Sequence, residues 1–263
     1  MSVLGAKPSR NGRGKPAPGA AFYDLDGTLA DLNLVHAALF ILANLGEWHR
    51  RIGSIARLAV SAPRLYLAER KDRRLLNQVL FECLKGVSVD RLVELGQEYC
   101  DRVLIKHLYP SAIELVEANR KNGLEPVLVT GSPDFIVVPL CRQLEIKDFA
   151  ANRLIVSHAR ATGRLAPPIM AADEKARWCA SFATQHNLDL RKCWGYADSY
   201  YDLPFLVALG HPIAVNPDSK LRAAAMSRQW PILRFDKSTD DESDEASGPA
   251  ILELPGRSAD GAS

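Results

Sequence analysis

The chain has 263 residues, 47% hydrophobic and 24% charged. That is the profile of an ordinary globular protein with enough length for one large core or two smaller ones. A formal net charge of +2 names no partner. The five cysteines, Cys83, Cys100, Cys141, Cys179 and Cys193, contain no CxxC pair, which argues against a disulfide framework and a structural zinc site. No apolar segment follows the basic N-terminus as it would in a secretory signal. The most apolar stretch, Leu34 to Leu45, is interrupted by His36 and Asn44 and is too short for a bilayer. A cytoplasmic protein is expected.

Residues 1–19 carry Lys7, Arg10, Arg13 and Lys15 without an acid among Gly, Pro, Ser and Ala, too little apolar surface to offset the entropy of ordering. They read as a disordered basic tail that aids solubility, and no nucleic acid is expected as a partner. Ala20-Ala21-Phe22-Tyr23 then reads as a buried strand running into Asp24-Leu25-Asp26-Gly27-Thr28. From Leu32 to about Asn119, apolar residues recur at three- and four-residue spacing, a helical period. Pro63, Gly86 and Pro110 punctuate that run, and Ser88 is an N-cap candidate. Glu125-Pro126-Val127-Leu128-Val129 reads as a second buried strand, ending at Thr130-Gly131-Ser132-Pro133 ahead of a helix. A short hairpin follows, with Leu154 to Ser157 as one arm, a turn around Thr162-Gly163, and Arg164-Leu165 as the other. Next come a helix over Asp173 to His186, a strand over Cys193 to Tyr196 ending at Ala197-Asp198, and short strands at Ile213 to Val215 and Ile232 to Arg234. Residues 236–263, rich in Asp and Glu, read as a disordered acidic tail.

Strands alternating with helices predict an α/β fold whose Rossmann-like parallel sheet is covered on both faces. The helical run over 32–110 is too long for one crossover. It is expected to form an all-helical cap inserted after the first strand, leaving 20–31 and 111–235 as the core domain. Ligands in such sheets bind beyond the carboxyl ends of the strands. Asp24, Thr130 and Asp198 each fall at such an end.

Hydrolysing a phosphate monoester demands barrier lowering on the order of 20 kcal/mol or more, obtained by positioning and by neutralising charge. A carboxylate nucleophile, an acid/base and a divalent cation meet those needs. Asp24-Leu25-Asp26-Gly27-Thr28 offers two carboxylates where a strand gives way to a turn, although Asp-Gly is also a common turn without function. Thr130-Gly131-Ser132 reads either as a turn with Ser132 capping the next helix or as a cradle for phosphate oxygens. Lys175 alone reads as a solvated lysine. Asp198-Ser199-Tyr200-Tyr201-Asp202 places two carboxylates four residues apart, suited to a hard cation or to a helix N-cap.

In this order the four segments resemble the haloacid dehalogenase (HAD) superfamily of phosphatases, with Asp-x-Asp-x-Thr first, then a Ser or Thr ending a strand, then a Lys, then paired aspartates. The cap position and the stretch Gly210 to Pro217 are similar to the phosphoserine phosphatase-like subfamily (subfamily IB). The resemblance implies Asp24 as nucleophile and Asp26 as general acid/base. It implies that Thr130, the Gly131 backbone and Lys175 bind the phosphoryl group. Mg²⁺ would be held by the Asp24 carboxylate, the Asp26 carbonyl and Asp198, with Asp202 supporting by orienting Lys175 or a metal-bound water. A small phosphorylated substrate hydrolysed through an aspartyl-phosphate is expected, with a phosphotransferase on the same fold as the alternative. Where phosphoserine phosphatases carry a glutamate that meets the substrate's amino group, this chain has Asn33, with Asp31 nearby; and Ala197-Asp198 stands where Gly-Asp is commoner. The cap is also apolar at Leu39 to Leu42 and basic at Arg57, Arg64, Arg70, Lys71, Arg73 and Arg74. These residues read as helix packing and a solvated face. A lysophosphatidate-type lipid phosphate, met at a membrane surface, is the sharper alternative.

Overall fold

The computed structural model describes residues 19–45 and 73–236, with side chains described from Asn77 onward in the second block. The expected tails, apart from Gly19 and Asp236, and the basic side chains of Arg57, Arg64, Arg70, Lys71, Arg73 and Arg74 lie outside the described residues. In chain order the elements are β1 (Gly19–Tyr23), α1 (Leu34–Ala43), α2 (Arg73–Glu82), α3 (Val89–Tyr99), α4 (Pro110–Lys121), β2 (Leu124–Pro133), α5 (Asp134–Gln143), β3 (Asp148–Ser157) and β4 (Arg160–Ala166). They continue as α6 (Asp173–His186), β5 (Trp194–Ala197), α7 (Leu203–Val207), β6 (His211–Val215), α8 (Ser219–Ser227) and β7 (Ile232–Leu233).

The seven strands form one sheet in the order β4-β3-β2-β1-β5-β6-β7, parallel except for β4. β1 is buried along its whole length, as the apolar run requires, and its alternation divides two cores. Ala21 and Tyr23 pack on the side that holds Val116 of α4, Ile136 and Leu140 of α5, and the helices between β1 and β2. Ala20 and Phe22 face Cys179 and Phe182 of α6, Phe205 of α7 and Leu221 of α8. Strand order reverses between β1 and β5, so a crevice opens beyond their carboxyl ends. No helix among the described residues is long and apolar enough to cross a membrane.

Among the described residues, helices lie in the run where the periodicity places them, residues 46–72 of that run lying outside the described residues, and Ser88 accepts from Arg91 N–H at the start of α3. The hairpin differs from expectation. Its turn is His158-Ala159, both at positive φ (49° and 57°), between the paired residues Ser157 and Arg160. Gly163, taken as the turn glycine, lies inside β4. A Cβ there would approach Lys85 Cβ at 3.0 Å and Glu82 Cα at 3.2 Å, so the glycine marks the place where the end of α2 backs onto the strand.

Candidate active site

Asp24 is set by the last rung of the ladder: its N–H donates to the Tyr196 carbonyl at 3.0 Å, leaving the carboxylate buried at the strand end. Lys175 is the third residue of α6 and only 4% exposed. A cation in the first turn opposes the helix dipole, and burying one is costly without partners. Its Nζ donates to Asp24 Oδ1 at 2.8 Å and to Asp202 Oδ2 at 2.9 Å. Burial pushes the Lys175 ammonium down, but the carboxylates of Asp202 and Asp24 outweigh that and hold its pKa above the ordinary lysine value.

The end of β2 is irregular. Its register with β3 shifts between Val129 and Pro133, so Thr130-Gly131-Ser132 bows toward the crevice. Thr130 is fully buried and its hydroxyl oxygen accepts from Ser132 N–H at 3.0 Å. Ser132 does not cap α5; that position is held by Pro133 without a side-chain bond. The Ser132 hydroxyl donates instead to Asp26 Oδ2 at 2.7 Å, drawn there because Asp26 stands across the strand ends. Asn152, fully buried on β3, donates to the Gly131 carbonyl at 2.7 Å and accepts from Met170 N–H at 2.8 Å. It thereby ties the Gly131 loop to the segment leading into α6.

Asp198 follows β5. Its carbonyl accepts from Asp218 N–H at 2.8 Å, while Asp218 Oδ1 caps α8 through Lys220 and Leu221 N–H. Gly27, at φ +81°, lets the first turn pass over this carboxylate: a Cβ there would fall 2.2 Å from Asp198 Oδ2. One carboxylate oxygen from each of Asp24, Asp198 and Asp202 lies within 4.8 Å of the others. Three hard oxygen donors converging from separate elements fit a Mg²⁺-type cation rather than a soft metal. Asp24, Asp26, Gly131, Lys175 and Asp202 line one cleft of about 370 Å³, which Leu34, Asn77, the Met170 to Ala172 segment and Tyr201 complete. The residues singled out from sequence are therefore neighbours, although up to 178 positions separate Asp24 from Asp202 in the chain.

A family model described as haloacid dehalogenase-like hydrolase matches residues 21–207, a span that contains every side chain lining the cleft. The chain belongs to this family. Within it the kinship is with the phosphatases. Phosphoserine phosphatase SerB1 of Mycobacterium tuberculosis is 28% identical over 217 residues, covering 82% of this chain and 70% of that protein. A Bordetella pertussis protein of unknown function shares the fold with a TM-score of 0.71 at 24% identity, covering 82% of this chain and 98% of that one. A phosphoserine phosphatase solved as a phospho-aspartyl intermediate analogue superposes with a TM-score of 0.60 at 16% identity, covering 81% and 91%. The chain is a hydrolase of the HAD family with the expected α/β architecture.

Against that kinship, Asn33 is spent on structure. Its side chain accepts from Val35 and His36 N–H and starts α1. Asp31 accepts from the Tyr109 hydroxyl at 3.3 Å and is not among the described residues that line the cleft. Sequence reasoning passed over four residues that shape the site: Asn77, Ser132 as a partner of Asp26, Asn152 and Asp218. Two of them had a local signal: Asp218 directly precedes a helical run, and Asn77 interrupts an apolar stripe.

Proposed function

We propose that the chain is a magnesium-dependent phosphomonoesterase that works through a phosphorylated Asp24. The observation that carries the reading is the buried Asp24–Lys175–Asp202 arrangement at the cleft, which fixes one oxygen of Asp24 and leaves the other for an incoming phosphorus. Attack by that oxygen forms the Asp24–phosphorus bond while the bond from phosphorus to the ester oxygen breaks. Asp26, in its acid form, gives its proton to the departing oxygen. As a carboxylate it then takes a proton from water, whose oxygen attacks phosphorus and releases phosphate and free Asp24. The Ser132 hydroxyl holds Asp26 in place for both transfers. Thr130, the Gly131 backbone and Lys175 meet the charge on the phosphoryl oxygens. The Asp24 carboxylate, the Asp26 carbonyl and Asp198 would hold Mg²⁺, with Asp202 supporting. The ion supplies the neutralisation that lets an anionic nucleophile meet an anionic phosphate. The helices between β1 and β2 act as the cap that covers the cleft and excludes water.

The test is Asp24→Asn assayed with 4-nitrophenyl phosphate and Mg²⁺. Turnover is expected to fall by roughly 10⁴-fold or more while the protein keeps its cooperative unfolding. Full activity in the variant would sink the nucleophile assignment.

A second reading, a substrate with an apolar chain such as a lysophosphatidate-type ester, is favoured by one feature. A shallow apolar groove lined by Leu34, Ala37, Ile41, Leu80, Phe81 and Leu84, among others, adjoins the cleft through the shared Leu34. On this reading kcat/KM rises along a series of primary alkyl phosphates by about 3- to 4-fold per CH₂ buried, from about 0.8 kcal/mol each. A flat series removes it.

A further inference from the structure

Helix α2 presents a carboxamide to the phosphate cleft. Asn77 is only 4% exposed, yet it lines the cleft beside Asp24, Asp26, Gly131 and Lys175. Its amide faces the cleft rather than the apolar packing around α2. A carboxamide is costly to bring out of water unless it meets a polar partner, and a cleft that binds phosphate supplies one. Leu80, Phe81 and Leu84 on the same stripe are all buried apolar residues.

The amide has a defined place. A Cβ on Gly131 would come within 2.9 Å of Asn77 Nδ2, so the donor stands against the backbone of the Thr130–Ser132 bow. The segment after α2 is fastened to the hairpin: Gly86 N–H donates to the Ala161 carbonyl and Ala161 N–H to the Val87 carbonyl, both at 2.8 Å. Arg160 adds a bond to the Gly86 carbonyl at 2.9 Å. Asn77 lies five residues, about 7.5 Å of helix rise, before the end of α2 at Glu82. It is therefore held over the cleft by the core itself.

We propose that Asn77 is a substrate-binding residue whose Nδ2–H donates to a phosphoryl oxygen of the bound monoester. The inference rests on the phosphomonoesterase reading and extends it to the cap. A neutral donor suits a phosphate dianion at a site already crowded with carboxylates, where a further acid would repel it. Because residues 86 and 87 are fastened to the hairpin, the donor stands in place before phosphate arrives. The organic part of the ester is left to Leu34, Met170 and Tyr201 on the remaining wall.

The experiment compares the full-length wild type with Asn77→Ala, Asn77→Leu and Asn77→Asp. 4-Nitrophenyl phosphate serves as substrate, orthovanadate as an inhibitor without an organic part, and inorganic phosphate as a ligand in thermal melts. Asn77→Ala and Asn77→Leu should lose roughly 10- to 100-fold in kcat/KM, as expected for a hydrogen bond to a charged group. Orthovanadate inhibition should weaken by a similar factor, and the rise in melting temperature given by phosphate should shrink. Asn77→Asp should lose more. Without ligand, Asn77→Leu should melt no lower than wild type, because it replaces a cleft-facing amide by an apolar side chain of similar size; it carries the test if Asn77→Ala folds poorly. Unchanged kcat/KM and orthovanadate inhibition in Asn77→Leu would overturn the proposal. So would a loss of ester turnover with orthovanadate inhibition intact, since the amide would then serve the leaving group. A wild type inactive on every phosphomonoester overturns the underlying reading, and it does so before any Asn77 variant is compared.

Discussion

Gly27→Ala probes the candidate metal site through a residue that carries no chemistry of its own. The Cβ introduced there falls 2.2 Å from Asp198 Oδ2 and 2.6 Å from Asp198 Cγ, where ordinary contact begins at 3.4 Å. Either the carboxylate retreats by roughly 1 Å, a misplacement worth about 10²-fold in rate, or the first turn swings off Asp198 by a similar distance. The φ of +81° adds a backbone penalty of about 1–3 kcal/mol for any residue with a side chain. The expected outcome is a folded protein less stable by that amount in urea. Its kcat on 4-nitrophenyl phosphate should be lower by about 10²-fold, and its half-saturating Mg²⁺ concentration higher. Gly86→Ala separates the two effects. Gly86 also has a positive φ, +87°, but a Cβ there meets nothing within 4 Å. That variant should lose stability by a similar amount and keep its Mg²⁺ half-saturation. A Gly27→Ala enzyme with wild-type kcat and wild-type Mg²⁺ dependence would refute the reasoning, because Asp198 would then be free to move without consequence.

Two further outcomes follow from the buried groups. Lys175→Met removes the only ammonium between Asp24 and Asp202 among the described residues. It leaves two buried carboxylates facing each other, and breaking such a pair costs about 3–5 kcal/mol. Chemical denaturation should show a loss of this size together with loss of turnover, and unchanged stability would contradict the ion-pair account. All five cysteines are buried and free. Burial pushes the Cys100 and Cys141 thiols up to about 12 and holds Cys179 and Cys193 above the usual thiol value. Below those values the thiolate is scarce, so a thiol reagent at pH 8 should modify none in the native protein and five after denaturation. A fast-reacting native thiol would mean that one of these packing sites is open.

What was legible in the sequence was whatever local chemistry dictates. An apolar run that ends in acids can only be a buried strand delivering carboxylates to a polar edge, so β1 and Asp24 were readable together. Helix α6 was readable over its whole length, Asp173 to His186, because its start carries two acids that suit the helix dipole. The errors have physical causes. Gly163 was taken for a turn because glycine permits turns, but it also permits close approach, and here a helix end occupies the space. For Ser132, before a proline and a helix, the sequence left a cap and a phosphate cradle both open; a carboxylate 106 positions earlier in the chain takes its hydroxyl. β3 begins with Asp148-Phe149-Ala150-Ala151-Asn152, too polar to read as a strand, because its buried polar member bonds the Gly131 loop rather than packing in a core.

Asn77 lies between these extremes. It stands three, four and seven residues before Leu80, Phe81 and Leu84, on one helical face. A polar residue in an apolar stripe is a visible break in pattern. The pattern does not say what the break is for, since a core hydrogen bond, a bound water and a ligand contact leave the same trace in one dimension. Only the arrangement of α2 over the Gly131 bow distinguishes them, and that arrangement depends on the fastening of residues 86 and 87 to Ala161. Asp24, Thr130 and Asp198 stand out in the sequence because each sits where its own strand ends. The proposed role of Asn77 rests instead on contacts between elements far apart in the chain.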